Sequence, residues 1–282
     1  MIIKSYAKIN LSLKVIGLRP DDYHDLQMVM LPLDLFDAIE IEKMPFSPDS
    51  FVTCDDIELA NLKENLCKKS LEAMRAKYKF KDNFTIRIHK EIPFASGLGG
   101  GSSNAAVVML AVNQMLHLKA TNEDLIEVGK TVGADVPFFL VNKPALVEGI
   151  GERITPIKVK TQYECLIVKP QQGLSTREVY AISDKFQKAR VDTDGVIKGL
   201  ANGDDTLIAK SLGNDLMLPA ESLLPDIGVV YDSLCKDGFT IVSMSGSGSS
   251  VFALSRDNHK CHEAAKKYTK QGYIVRHCKI LL

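Results

Sequence analysis

Residues 93–103 read PFASGLGGGSS, so four of the five positions from Gly97 to Gly101 are glycine. Two serines follow, and then an apolar run, NAAVVMLAVNQML. Glycine loses more chain entropy on folding than any other residue, so a run this dense is a costly way to make a simple turn. Without Cβ atoms, successive main-chain N–H groups can converge on one point. The start of a helix adds unpaired N–H groups and a dipole that favours negative charge. The chemistry is anion binding, and phosphate is the usual anion. Three loop types handle phosphate this way. The P-loop requires GxxxxGK[ST]; GKT occurs at 129–131, but Asp124 stands where the first glycine belongs. The dinucleotide fingerprint requires GxGxxG; Gly97 and Gly99 supply two glycines, and Ser102 occupies the third position. Its strand–loop junction also comes too late in the chain for a first βα unit. The third type is a longer loop, Pro-x-x-x-Gly-Leu-Gly-x-Gly-Ser-Ser followed by small residues, and this one fits. A second cluster, HKCH at 259–262 with His277 and Cys278, raises metal binding. Its spacing pins no fourth ligand, and the stretch reads as an exposed basic helix.

The elements around the loop follow from periodicity. SYAKINLSLKVIG alternates, with Ala7, Ile9, Leu11, Leu13 and Val15 on one face of a strand and Lys8, Asn10, Ser12 and Lys14 on the other. RPDDYH reads as a turn and FDAIEIE as a strand. Residues 62–78, with Leu62, Leu66, Met74 and Tyr78 apolar, read as a helix, and FTIRIHK (84–90) is a strand that runs into the glycine loop. Residues 102–116 are apolar nearly all round, which predicts a buried helix. Thr121 and Asp124 form a capping box, and GADVPFFL opens a helical turn that tolerates Pro137. Beyond about residue 158 come a strand (YECLIVKP), a helix capped by Ser175 with Glu178, and helices near 205–212 and 220–236. A strand, a Gly/Ser turn at 245–249, a strand, a helix at 258–270 and a last strand close the chain. Strands and helices mix in both halves, so the fold class is α+β in two lobes, 1–158 and 159–282.

Composition narrows the classes further. Of 282 residues, 45% are hydrophobic and 25% charged, values that suit a globular chain with a sizeable core. Thirty-five basic residues balance thirty-five acidic ones, so no net field draws the chain to nucleic acid or anionic lipid. Lys8 and Lys14 interrupt any signal-peptide core, and no apolar stretch is long enough to span a bilayer. The six cysteines are scattered without a CxxC pair, as expected of reduced thiols in a cytoplasm.

PFASGLGGGSSNAA resembles the phosphate loop of the GHMP kinase superfamily, named for galactokinase, homoserine, mevalonate and phosphomevalonate kinases. AKINLSLKV, DDYHDL at 21–26, GADVPFF at 133–139 and MSGSGSSVF at 244–252, in order and at the expected spacing, narrow the resemblance to one branch of that superfamily, whose acceptor carries a cytidine. The resemblance implies an N-terminal lobe like the second domain of ribosomal protein S5 and a ferredoxin-like C-terminal lobe. It also implies ATP as phosphoryl donor with Mg2+, and cytidine diphosphate methylerythritol, a small molecule, as acceptor. No nucleic acid or membrane partner is expected, and the chain is expected to be a cytoplasmic monomer or weak homodimer.

The resemblance also assigns residues. Lys8 is implied as the catalytic lysine, whose compact ammonium neutralises charge at the transferring phosphate. Asp135 is implied as the general base for the acceptor hydroxyl. Pro93, Gly97, Leu98, Gly99, Gly100 and Gly101 would cradle phosphates through main-chain N–H groups, with Ser102 and Ser103 adding hydroxyls. Asn65 and Lys90 are implied as contacts to the ATP base or its surroundings. Asn10, Tyr23 and His24 would form a cytosine pocket, with Tyr180 closing the other face of the base. Gly246 and Gly248 would meet substrate phosphates. Asp22 stands where the superfamily relative usually has glycine; aspartate tolerates left-handed turns, so the turn is expected to survive. No protein ligand for the metal is implied. The rivals are a sister GHMP-type kinase without a pyrimidine pocket, a nicotinamide-dependent oxidoreductase, and a non-catalytic nucleotide-binding relative lacking Lys8 or Asp135.

Overall fold

The structure, a computed structural model, describes residues 1–20, 23–56 and 65–282. It contains two compact units, and neither is a single run of chain. The first comprises Met1–Ala7, Phe36–Ile92 and Gly99–Asn142; the second comprises Lys8–Leu35, Pro93–Leu98 and Lys143–Leu282. Strands β1 (Ile2–Leu18) and β2 (His24–Met44) run through both.

In the first unit, Ala38–Met44 of β2 pairs antiparallel with β4 (Asn83–His89), and β4 pairs in parallel with β3 (Phe51–Cys54). The helices are α1 (Leu66–Tyr78), α2 (Gly100–Met115), α3 (Asn122–Val132) and α4 (Val136–Val141). Helix α2 is central and packs on both α1 and α4. Its Ala105, Ala106, Val108, Met109, Ala111 and Val112 are all buried, as the all-round apolar pattern predicts. Asn65 caps α1 by accepting the Cys67 N–H at 2.8 Å, so the helix starts at Leu66; Leu62 lies outside the described residues. The Thr121–Asp124 capping box forms reciprocally, at 3.2 and 3.1 Å.

In the second unit, Leu26–Met30 of β2 pairs antiparallel with β5 (Ala145–Gly149), which pairs with β6 (Arg153–Pro156). Helices α5 (Thr176–Ser183), α6 (Thr193–Asn202) and α7 (Asp205–Ser211) lead to the two-residue strand β8 (Gly213–Asn214), which pairs in parallel with Ser12 and Leu13 of β1. Helices α8 (Met217–Leu223) and α9 (Asp226–Lys236) follow. An antiparallel sheet is built from β7 (Glu164–Lys169), β9 (Ile241–Met244), β10 (Val251–Ser255) and β11 (Ile274–Lys279), in the order β11-β7-β10-β9. Fourth, first, third, second is the ferredoxin-like arrangement. Helices α9 and α10 (Asn258–Lys270) pack on this sheet.

Three local expectations change. The helix expected over 220–236 is two helices, because Leu224 before Pro225 is pushed out of helical geometry and Pro225 begins α9 anew. Ser175 occupies the N-cap position of α5 without a capping hydrogen bond from its side chain. On β1 the polar face is covered as well: Lys8, Asn10 and Ser12 are buried, and only Lys14 of that set is exposed.

Candidate active site

A buried lysine needs partners, because removing an unpaired ammonium from water is costly. Lys8 is 2% exposed, and its ammonium donates to Asn10 Oδ1 at 2.6 Å and to the Gly97 carbonyl at 2.9 Å. Two-residue spacing on β1 puts Lys8 and Asn10 on one face, which explains their contact. The Gly97 carbonyl also accepts the Ser245 hydroxyl at 2.9 Å, and Ser245 Oγ accepts the Asn10 N–H at 3.3 Å. The main chain adds Lys8 N–H to Leu98 O at 3.0 Å and Ser250 N–H to Ser96 O at 3.2 Å. Ser96 Oγ donates to the Pro93 carbonyl at 2.7 Å, which rounds the loop off.

The two glycine turns therefore meet backbone to backbone. Gly97 has φ +74°, and a Cβ there would collide with the Ser245 carbonyl oxygen. Gly246 has φ +57°, and a Cβ there would lie 3.2 Å from Gly97 O and 3.4 Å from both Lys8 Nζ and Asn10 Oδ1. Gly248 also takes a left-handed φ, +86°. Asn214 holds the second turn from behind: Nδ2 donates to Met244 O and Gly246 O, each at 2.8 Å, and Oδ1 accepts the Leu216 N–H at 2.9 Å. Strand β8 puts Asn214 there by pairing with β1.

A second group in the same unit is aromatic. The rings of His24 and Tyr180 lie 5.2 Å apart, tilted by 31°, and His24 Nε2 is 3.6 Å from Asp184 Oδ2. These two rings touch, so no base fits between this pair. Tyr23, 58% exposed, offers its ring to solvent. Its carbonyl accepts the Arg19 N–H at 2.7 Å. Asp22 lies outside the described residues.

In the first unit, Gly99 is the N-cap of α2 with φ +74°, and Gly100 and Gly101 are its first two residues. The early N–H groups of a helix have no partner within it and face outward. Ser102 is half-buried, whereas Ser103 is turned inward, with its hydroxyl 2.7 Å from Ser5 Oγ and its N–H on Gly99 O. Ser103 thus anchors the helix instead of facing the loop. Lys90 pairs with the fully buried Asp37 at 2.5 Å. Asp135 sits at the N-cap position of α4, half-buried, and its side chain makes no capping hydrogen bond. Asn65 uses its carbonyl oxygen as the α1 cap. Next to it, burial pushes the Cys67 thiol up to about 12 while Lys90 pulls the other way, so Cys67 is a neutral thiol and no nucleophile at physiological pH.

Sequence reasoning missed Ser245, Asn214 and Asp37. The first lies inside a motif read for its glycines. The last shares its strand with several other acids, so its type alone did not single it out.

Residues 65–143 match the GHMP kinases N terminal domain, and residues 196–274 match the GHMP kinases C terminal domain. A 4-diphosphocytidyl-2-C-methyl-D-erythritol kinase of Clostridium perfringens is 38% identical over 262 residues, covering 91% of this chain and 89% of the relative. One from Clostridium kluyveri is 36% identical over 280 residues, covering 98% and 99%. A crystal structure of a 4-(cytidine 5'-diphospho)-2C-methyl-D-erythritol kinase matches with TM-score 0.81 at 28% identity, over 99% of each chain. Homoserine kinase from Cytophaga hutchinsonii, at TM-score 0.73 and 18% identity over 100% of this chain and 95% of that one, shares the fold. With its buried lysine and paired glycine turns, the chain belongs to the GHMP kinases, within the 4-diphosphocytidyl-2-C-methyl-D-erythritol kinase family.

Proposed function

We propose that this kinase transfers the γ-phosphoryl group of ATP to the 2-hydroxyl of 4-diphosphocytidyl-2-C-methyl-D-erythritol, giving the 2-phosphate and ADP in the non-mevalonate isoprenoid pathway. The observation that carries this reading is the Lys8 ammonium, buried against the carbonyl of Gly97 and flanked by two glycine turns. A fixed cation beside a phosphate loop stabilises charge at the transferring group without reorganising at the moment of reaction.

Each residue then has a role. The outward N–H groups at Gly99, Gly100 and Gly101 receive phosphate oxygens, and Pro93, Gly97 and Leu98 shape the approach to them. Ser102 adds its hydroxyl, and Ser103 fixes the helix behind it. Lys90 and Asn65 contact the nucleotide. Asp135, at the N-cap position of α4, takes the proton from the acceptor hydroxyl. The new bond forms between that oxygen and the γ-phosphorus, the bond to the β,γ-bridging oxygen breaks, and ADP leaves. No enzyme nucleophile intervenes, because positioning and charge stabilisation suffice for phosphoryl transfer. Tyr23, His24 and Tyr180 receive the cytosine by stacking and edge hydrogen bonds, Asn10 orients Lys8 and the acceptor, and Gly246 and Gly248 admit the acceptor's phosphates.

Magnesium accompanies ATP in this reading, and bound Mg2+ neutralises charge on the phosphates. It typically takes few protein oxygens and completes its shell with waters and substrate phosphates. The half-buried Ser102 hydroxyl fits that demand, and among the described residues no His, Cys, Asp and Glu side chains form a metal cluster. No helix among the described residues is long and apolar enough to cross a membrane.

The test is ADP release from MgATP with the cytidine substrate, with mevalonate and homoserine as parallel acceptors. Turnover with the cytidine substrate alone is expected. Turnover with another acceptor, or with none, would return Tyr23 and His24 to ordinary packing roles.

A further inference from the structure

Asp37 lies in β2 with no solvent exposure, and its carboxylate holds three consecutive residues. Oδ1 accepts the N–H groups of Glu91 and Ile92, each at 2.9 Å, and Oδ2 accepts the Lys90 ammonium. These three residues join the end of β4 to the glycine loop. Two of them also pack against the start of α2: a Cβ at Gly100 would lie 3.1 Å from Lys90 Nζ and 3.1 Å from Ile92 Cγ2. One carboxylate thus sets both the path of the chain into the loop and the position of a cation beside the first residue of the helix.

As a purely structural device this would be a poor choice. A buried ion pair is often no more stabilising than well-packed apolar side chains, and Ile39 and Ile41 on the same strand pack fully. An ammonium beside a helix N-terminus also opposes the helix dipole, which favours anions there. The Lys90 side chain is nevertheless only 7% exposed at that end of α2.

We propose that Asp37 is a positioning residue for the nucleotide: through Lys90 and the 90–92 segment it sets the helix start and its neighbouring cation for ATP. This rests on the reading of the glycine loop as the ATP site. Asp37 touches neither substrate itself, and its effect falls on nucleotide affinity, not on the acceptor.

The experiment measures ADP binding by calorimetry on the full chain, alongside thermal midpoints and steady-state kinetics. Asp37→Asn keeps the side-chain shape and an acceptor for the two N–H groups but removes the counter-charge of Lys90. Its ADP affinity is expected to weaken about ten-fold, with the KM for MgATP rising in step. The acceptor KM and kcat should change less than about three-fold. If Asp37→Asn folds poorly, Asp37→Glu keeps the charge but displaces it by one methylene; its ADP affinity should still fall while the acceptor KM holds. Wild-type ADP affinity in either folded variant overturns the proposal and leaves Asp37–Lys90 as a structural pair. Failure of the unaltered protein to bind ADP would instead overturn the ATP-site reading, so the two failures are distinguishable.

Discussion

Residues 97–101 and 245–249 are both glycine-rich, but they meet solvent differently. In the first turn Gly97, Gly99 and Gly100 are half-buried and Gly101 is exposed; in the second every residue is buried. The first leads into α2 and keeps the N–H groups of the helix start available. The second joins β9 to β10, is held by Asn214, and presents backbone to the first. Glycine serves access in one turn and close approach in the other. The contact at Gly97 belongs to both, because that residue faces the Ser245 carbonyl.

Substitutions test this division. Asp135 is in neither turn, so Asp135→Asn sets the upper scale: kcat should fall by about 10² to 10⁴ while the thermal midpoint and ADP affinity hold. Near wild-type turnover would remove Asp135 from the mechanism. Gly97→Ala comes next. The left-handed conformation alone costs an L-residue about 1–2 kcal/mol. Relief of the clash must also separate the two turns, and a misplacement of about 1 Å can cost 10² in rate. Lower stability and a kcat/KM reduced on that order are expected; an active, stable variant would mean that the turns do not depend on each other. Asn214→Ala removes both hydrogen bonds that hold the second turn and leaves two buried carbonyls unsatisfied. A loss of about 1–3 kcal/mol per orphaned group, read by denaturant unfolding, is expected, with a smaller effect on turnover than at Gly97. Gly101→Ala should matter least: a Cβ there meets only Leu66, at 3.5 Å, and alanine favours a helix by up to about 1 kcal/mol over glycine. Unchanged or slightly raised stability is expected, and any loss of ADP affinity would show that a ligand approaches that face closely.

Much of this was readable in the sequence wherever one residue type dictates one local geometry. The alternation of β1, the Thr121–Asp124 box and the buried α2 each follow from a few adjacent residues. Helix α6 was not readable, because Gly195 and Gly199 weaken its pattern; they are there for packing, with Gly199 against Ile208 of α7. The 21-residue span of β2 was hidden by Pro32 and by polar positions that read as a break. Within the site, only the resemblance singled out Lys8 and Asp135, whereas the glycines could be picked out by type and spacing. What Lys8 touches could not: the Asn10–Ser245 contact joins residues 235 positions apart, and only the folded chain brings them together. The burial of the polar face of β1 was likewise invisible, since alternation predicts two faces without saying what covers the second.

Cys67, 1% exposed and held as a neutral thiol at the capped start of α1, has a use unrelated to catalysis. A thiol-selective reagent cannot reach it until that end of the helix opens, so its labelling rate reports how often the segment comes apart. A ligand that binds only the closed form slows the labelling by the factor that it adds to local stability. The molecule therefore carries a built-in gauge of opening at that end of α1, and the proposed contact of Asn65 with the nucleotide predicts that ADP slows the labelling.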